Sequence, residues 1–118
     1  MVTVVWFKRD LRVSDHAALS RAAERGAPVL PLYIVEPDYW RLPDTSHRQY
    51  AFMADCLGDL RADLGRLGAP LVLRMGEACE VLEALRLRHG VTDLLSHEET
   101  GNLWTFARDR RVAAWARM

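Results

Sequence analysis

The residues best equipped for chemistry fall in short polar runs: Lys8-Arg9-Asp10 with Arg12, a lone Glu36, Gly76-Glu77, and His97-Glu98-Glu99-Thr100-Gly101-Asn102. Together they offer charges of both signs and hydrogen-bonding groups. That set suits a ring with polar edges better than a bare phosphate. Phosphate binding calls for glycines that present backbone N–H groups. The run after the first apolar segment, KRDLRVSD, has neither G-x-G-x-x-G nor G-x-x-x-x-G-K-[ST]. His97-Glu98-Glu99 lacks the second histidine of H-E-x-x-H, because position 101 is Gly, so no metal site is expected. An acidic phosphorylation pocket would need an aspartate where Met75-Gly76 stands, and a G-x-S-x-G nucleophile elbow is absent. The two cysteines, Cys56 and Cys79, have no C-x-x-C or Cys/His spacing and read as reduced thiols of a cytoplasmic protein.

Each polar run follows an apolar, β-branched segment. Val2–Phe7, Pro28–Val35, Pro70–Met75 and Thr92–His97 are the strand candidates. Their near-continuous apolar character fits a parallel sheet covered on both faces. Pro31, inside the second, implies a bulge or a locally weakened strand. Between the strands lie helical patterns. Ser14 is placed to cap a helix through Glu24, stopped by Gly26 and Pro28. Ser46 with Gln49 opens the longest helix as a capping box, with Met53, Leu57, Leu60, Leu64 and Leu67 as its buried stripe. Glu77–His89 follows, with Val81, Leu82 and Leu85 inward and Gly90 as terminator. Asn102–Arg117 is the last, with Trp104, Ala107, Ala114 and Trp115 as apolar contacts. The long connection Glu36–Thr45 lies where a lid beside a ligand, or a packed surface loop, would lie.

This alternation predicts an α/β fold, a Rossmann-like, doubly wound parallel sheet with right-handed crossovers. Such sheets bind ligands at the carboxyl ends of their strands, where the polar runs fall. The 118 residues make one ordinary domain, and 16 acidic residues balance 16 basic ones. That balance argues against DNA binding through this domain's own surface, which calls for a basic excess. The Arg108–Arg111 cluster reads as a solvated helix face. No apolar stretch approaches the ~20 residues that span a bilayer, and MVTVVWFKRD enters a strand without the leader of an export signal.

The opening VVWFKRDLRVSDHAAL resembles the start of DNA photolyases and cryptochromes, a W-F-[RK]-R-D-L-R-x-x-D-[NH] run after the first strand. PVLPLYIVEP resembles their second strand and its exit, Ser46–Leu64 their long helix, and Ala107-Arg108-Asp109 with Val112 their R-D-x-x-V signature. The resemblance runs in order along the whole chain. It implies the N-terminal light-gathering domain of that family, spanning residues 1–118, with sheet order 3-2-1-4. Such a domain holds an antenna chromophore and passes excitation to FAD in a separate helical domain. That domain would follow residue 118 and hold FAD and most of the DNA contacts. The parent activity implied is light-driven repair of pyrimidine dimers in DNA. Blue-light signalling by a cryptochrome, or a stand-alone nucleotide-like ligand-binding module, is the alternative.

The resemblance also points to residues. Arg9, Asp10 and Leu11 match the loop lining the antenna pocket in deazaflavin- and flavin-binding relatives. Glu36 matches an acidic position at the exit of strand two, and Arg48 a basic position on the long helix. Asn102 and Trp104 would line the other wall. Folate-binding relatives carry an Asn-Glu pair before the R-D signature, where this chain has Trp104-Thr105. A flavin or deazaflavin is therefore expected over a folate. Arg12 and Asp15 would form a salt bridge fixing the first loop, and Trp6, Trp40 and Trp115 would pack. The family's fifth strand would lie beyond Met118. Without it, the fourth strand is expected to keep an open edge through which the domain self-associates.

Overall fold

A computed structural model describes residues 1–43, 45–97, 99 and 102–118. The element order is β1 (Val2–Phe7), α1 (Ala17–Glu24), β2 (Val29–Val35), α2 (Pro37–Trp40), α3 (His47–Arg66), β3 (Val72–Met75), α4 (Ala78–His89), β4 (Val91–Ser96) and α5 (Leu103–Ala116). The strands form one parallel sheet in the order β3-β2-β1-β4. The expected α/β class and strand order are those observed.

The two-residue period of a strand divides the core. Val4 and Trp6 of β1, with Leu32 and Ile34 of β2, meet Ala78, Leu82 and Leu85 of α4 and Val112 of α5. The alternate residues Val5, Phe7 and Tyr33 meet Ala18 and Ala22 of α1 and Met53, Leu60 and Leu64 of α3. Both faces of β1 are thereby covered, which is why Val4, Val5 and Phe7 are fully buried.

Several local expectations are corrected. Pro31 neither bulges nor weakens β2, and the irregularity falls instead between Val2 and Thr3, in the pairing of β1 with β4. Thr3 N–H donates to the Pro28 carbonyl and Gly76 N–H to that of Val35, so odd-numbered residues of β2 face β3. The β3 ladder begins opposite Leu32, one residue past Pro31, and the missing proline N–H forfeits no ladder bond. Strands three and four run Val72–Met75 and Val91–Ser96, shifted slightly from their expected bounds.

Helix α1 starts at Ala17, capped by His16 rather than Ser14. Asp15, between them, has φ 50 and cannot continue a helix. No Arg12–Asp15 salt bridge forms, because the Arg12 guanidinium donates to the Asp15 backbone carbonyl. Leu67 lies past the buried stripe of α3 as its C-cap and is 65% exposed. Ala107 and Ala114 are exposed, and α5 instead buries Thr105, Arg108 and Val112. The capping boxes Ser46/Gln49 and Asn102/Thr105 are both formed. Gly90 ends α4 at φ 67, the left-handed conformation that favours glycine. Among the described residues, no helix is long and apolar enough to cross a membrane.

Candidate functional site

The carboxyl ends of β1 and β2 open into a cavity of about 340 Å³, the scale of a small-molecule site. Sequence and topology place its walls. Trp6 and Phe7 end β1, Tyr33 and Ile34 approach the end of β2, and Lys8, Arg9 and Leu11 follow in the first loop. Tyr39 and Trp40 come from α2, while Gln49, Phe52, Met53 and Cys56 come from one side of α3. Tyr39 packs edge-on against Trp40, and Trp40 against Tyr50, each at 5.0 Å between ring centres. These edge-to-face contacts hold the aromatic wall. The connection Glu36–Thr45 therefore does stand beside the cavity, with the short α2 inside it. Asp44 lies outside the described residues.

A buried ionic cluster closes the far side. Arg108 of α5, 2% exposed, bonds Glu36 through Nη1 and Glu99 through Nη2. Its Nε lies 2.7 Å from Asp109 Oδ1 without hydrogen-bond alignment. The guanidinium sits over the Trp6 ring at 4.9 Å and faces Trp104 at 5.7 Å. Burial pushes the Glu36 carboxyl up to about 7, against the pull of Arg108 and with Glu99 adding to the rise. Arg9 reaches the same cluster from outside, with Nε 3.0 Å from Glu99 and Nη2 donating to the Tyr39 hydroxyl. Lys8 donates to the His97 carbonyl at 2.9 Å, pairs with Asp109 at 3.2 Å, and lies over Trp6 at 4.5 Å.

The residues singled out from sequence divide. Arg9, Leu11 and Glu36 line the cavity. Asp10 turns away and accepts from Lys8 N–H, with its other oxygen toward His16 and His97. Burial opposes its ionisation, yet the Lys8 N–H and His16 outweigh it and hold the carboxyl below its ordinary range. Arg48 is exposed on α3 and does not reach the cavity wall, whereas its neighbour Gln49 does. The Asn102 side chain is occupied as the cap of α5, accepting from Thr105 N–H at 2.9 Å. Trp104 lines a smaller adjoining cavity with Glu36, Pro37, Glu77 and Arg111. Glu98, Thr100 and Gly101 lie outside the described residues.

Sequence reasoning took Arg108 for part of a solvated basic face, and the fold makes it the centre of the ionic cluster. Its helical spacing from Thr105 and Val112, which are buried on the same side of α5, is the signal that could have found it. His16 entered only as the final position of the W-F-[RK]-R-D-L-R-x-x-D-[NH] run, with no role assigned, and Tyr39 carried no signal of its own.

A parallel sheet wound on both faces, with a ligand-sized aromatic crevice at its carboxyl ends, defines a Rossmann-like α/β domain. The DNA photolyase family model matches residues 3–118, and the chain belongs to that family. Cryptochrome DASH, chloroplastic/mitochondrial, of Arabidopsis thaliana is 34% identical over 105 residues, covering 84% of this chain and 18% of its own length. The deoxyribodipyrimidine photo-lyase of Salmonella typhimurium is 35% identical over 96 residues, 77% of this chain and 20% of its own. The chain thus spans about a fifth of these relatives. A bacterial class III photolyase from Agrobacterium tumefaciens superposes with TM-score 0.84 at 30% identity, over 98% of this chain and 23% of that one. An archaeal photolyase from Sulfolobus tokodaii, solved with two FAD molecules, superposes at 0.83 with 26% identity, over 99% and 27%.

Proposed function

We propose that this chain is the antenna domain, residues 1–118, of a photolyase-like flavoprotein that repairs pyrimidine dimers in DNA under blue light. The observation that carries the reading is the crevice: flat aromatic walls with an ionic, hydrogen-bonding edge where this family's sheet ends. Such a cavity fits a planar heteroaromatic ring. When bound, that ring supplies light absorption and excitation transfer. The protein's own residues hold and shield it. Tyr39 and Trp40 offer apolar surface, while Arg9 and the Tyr39 hydroxyl offer polar contacts at the rim.

A flavin or deazaflavin fits better than a folate. At the Asn-Glu position of folate-binding relatives, the Thr105 hydroxyl is spent on the Asn102 backbone, donating to its carbonyl at 3.0 Å. Glu36 and Glu99 do put carboxylates on the wall, but Arg108 already holds both. FAD and most DNA contacts are assigned to a helical domain outside this chain. Free Cys56 and Cys79 suit a reducing, cytoplasmic setting.

Titration of the full-length protein with a flavin, a deazaflavin and a reduced folate, followed by absorption, tests the chromophore. The expected result is flavin or deazaflavin binding that weakens in Tyr39→Ala. Tight folate binding without flavin binding overturns it. Light-dependent dimer loss is expected from the full-length protein and not from the 118-residue chain alone. A full-length protein that repairs no dimer but changes state in blue light would favour the signalling alternative.

A further inference from the structure

Behind the crevice, Asp10, His16 and His97 join three elements: the loop after β1, the N-cap of α1 and the residue following β4. His16 is 1% exposed, with its ring centre 4.7 Å from Phe7 and 4.4 Å from His97. The backbone identifies the proton positions. Leu19 N–H donates to His16 Nδ1 at 3.0 Å, and Ala18 N–H donates to His97 Nε2 at 3.3 Å. A ring nitrogen that accepts carries no proton, so each neutral imidazole keeps its proton on the other nitrogen. Those nitrogens, His16 Nε2 and His97 Nδ1, lie 2.5 and 2.8 Å from the same Asp10 Oδ2. Two neutral rings thus donate to one carboxylate oxygen and accept from consecutive N–H groups in the first turn of α1.

We propose that this cluster is a proton-sensitive clamp, whose protonation on either imidazole uncaps α1 and releases the loop Lys8–His16 from the end of β4. An imidazolium has two donors and no acceptor. Protonated Nδ1 of His16 would point its hydrogen at the Leu19 N–H, and the new cation would sit at the positive end of the helix dipole. Arg12 of the same loop adds repulsion, as does a charged His97. Asp10 alone favours the proton, and Lys8, on the His97 carbonyl, is paired to Asp109. Burial is the largest influence on His16 and holds its pKa below the ordinary imidazole value, with Asp10 opposing and His97 and Arg12 assisting. The neutral ring is therefore the folded form at neutral pH.

The released loop carries Arg9 and Leu11 of the crevice wall, so acid loosens that wall whatever the crevice binds. A metal is the competing occupant, since the three ligand atoms lie within 4.8 Å of one another. Metal-bound histidines, however, keep a proton on the far nitrogen to donate. Here both far nitrogens accept from the backbone.

Hydrogen exchange of the full-length protein, read by mass spectrometry over α1 and corrected for intrinsic rates, tests the clamp. Unfolded histidine takes up its proton near pH ~6.5 and folded His16 only lower, so protection should fall as pH drops below ~6.5, approaching tenfold per unit. The double variant His16→Asn, His97→Gln keeps donors and acceptors that do not titrate, and should lose this dependence. Protection of the native helix that persists to about pH 5 overturns the clamp, as does the same acid loss in the variant or a rise in protection on adding zinc ions. Should the variant not fold, imidazole 15N shifts of the native protein decide. Nε2–H at His16 and Nδ1–H at His97 are the expected tautomers, and the opposite tautomer at either ring, or a charged His16 ring near pH ~7.5, overturns the proposal.

Discussion

At the scale of single residues, Arg108 answers to two buried carboxylates, and removing it leaves Glu36 without its cation and Glu99 with Arg9 alone among the described residues. Arg108→Ala should cost about 3–5 kcal/mol in urea unfolding, because Glu36 and Glu99 then share an apolar wall with no cation between them. The loss should shrink in acid, where a carboxyl can protonate. Arg108→Lys should rescue little, since a single ammonium does not reproduce the two-pronged fork. Glu36 carries its own signature. Folded Glu36 keeps its proton up to about 7, while an unfolded glutamate releases it near ~4.3. Between those values the folded state holds more protons, so this residue's contribution makes stability fall as pH rises through that window. His16, shifted the other way, contributes stability that is lost as pH falls below ~6.5, so the informative measurement is a comparison. Across pH ~5 to ~8, Glu36→Gln should lose less stability on alkalinisation than the native protein. Parallel curves for the two would exclude Glu36 as the source.

At the scale of elements, what was legible in the sequence is what local chemistry dictates. The Ser46/Gln49 box forms because its partners lie three residues apart, and Gly90 closes α4 because a left-handed residue is needed there. Ser46→Ala should therefore cost about 0.5–2 kcal/mol, measured by thermal unfolding, and Ser46→Asp should restore most of it. Strand order was legible only through family resemblance, since periodicity identifies strands without ordering them. Helix α5 shows why the site was harder. Its inward side carries Thr105, whose hydroxyl is satisfied by the Asn102 carbonyl, and Arg108, whose burial depends on Glu36 arriving from the exit of β2 and Glu99 from the loop before α5. A search for apolar spacing therefore selected Ala107 and Ala114, which face water. The start of α1 was missed for a related reason. His16 is an unusual N-cap, and it serves because Asp10, six residues earlier, fixes its tautomer.

At the scale of the whole molecule, the sheet has an open side at β4, which pairs only with β1 among the described residues. Its free backbone groups are a template for another chain. Leu94 and Leu95 are half-buried, packed one toward each core layer, and leave apolar surface for a partner to cover. Some protection exists, because Asp93 carries a charge onto the strand, but Arg25 neutralises it at 2.8 Å. Lysines, a usual guard of such edges, are absent from β4, the sole lysine being Lys8. We therefore expect the 118-residue chain to self-associate through Val91–Ser96. Sedimentation velocity across a concentration series should show a dimer or larger species growing with concentration. Thr92, exposed on this strand, is the position to alter, and Thr92→Lys should shift the series toward monomer by placing a charge on the edge. The opposite edge offers the control. β3 exposes Leu73 and Met75 but is only four residues long, so Leu73→Lys should change association less than Thr92→Lys. A chain that stays monomeric at high concentration, or one that responds at Leu73 and not at Thr92, removes β4 as the contact.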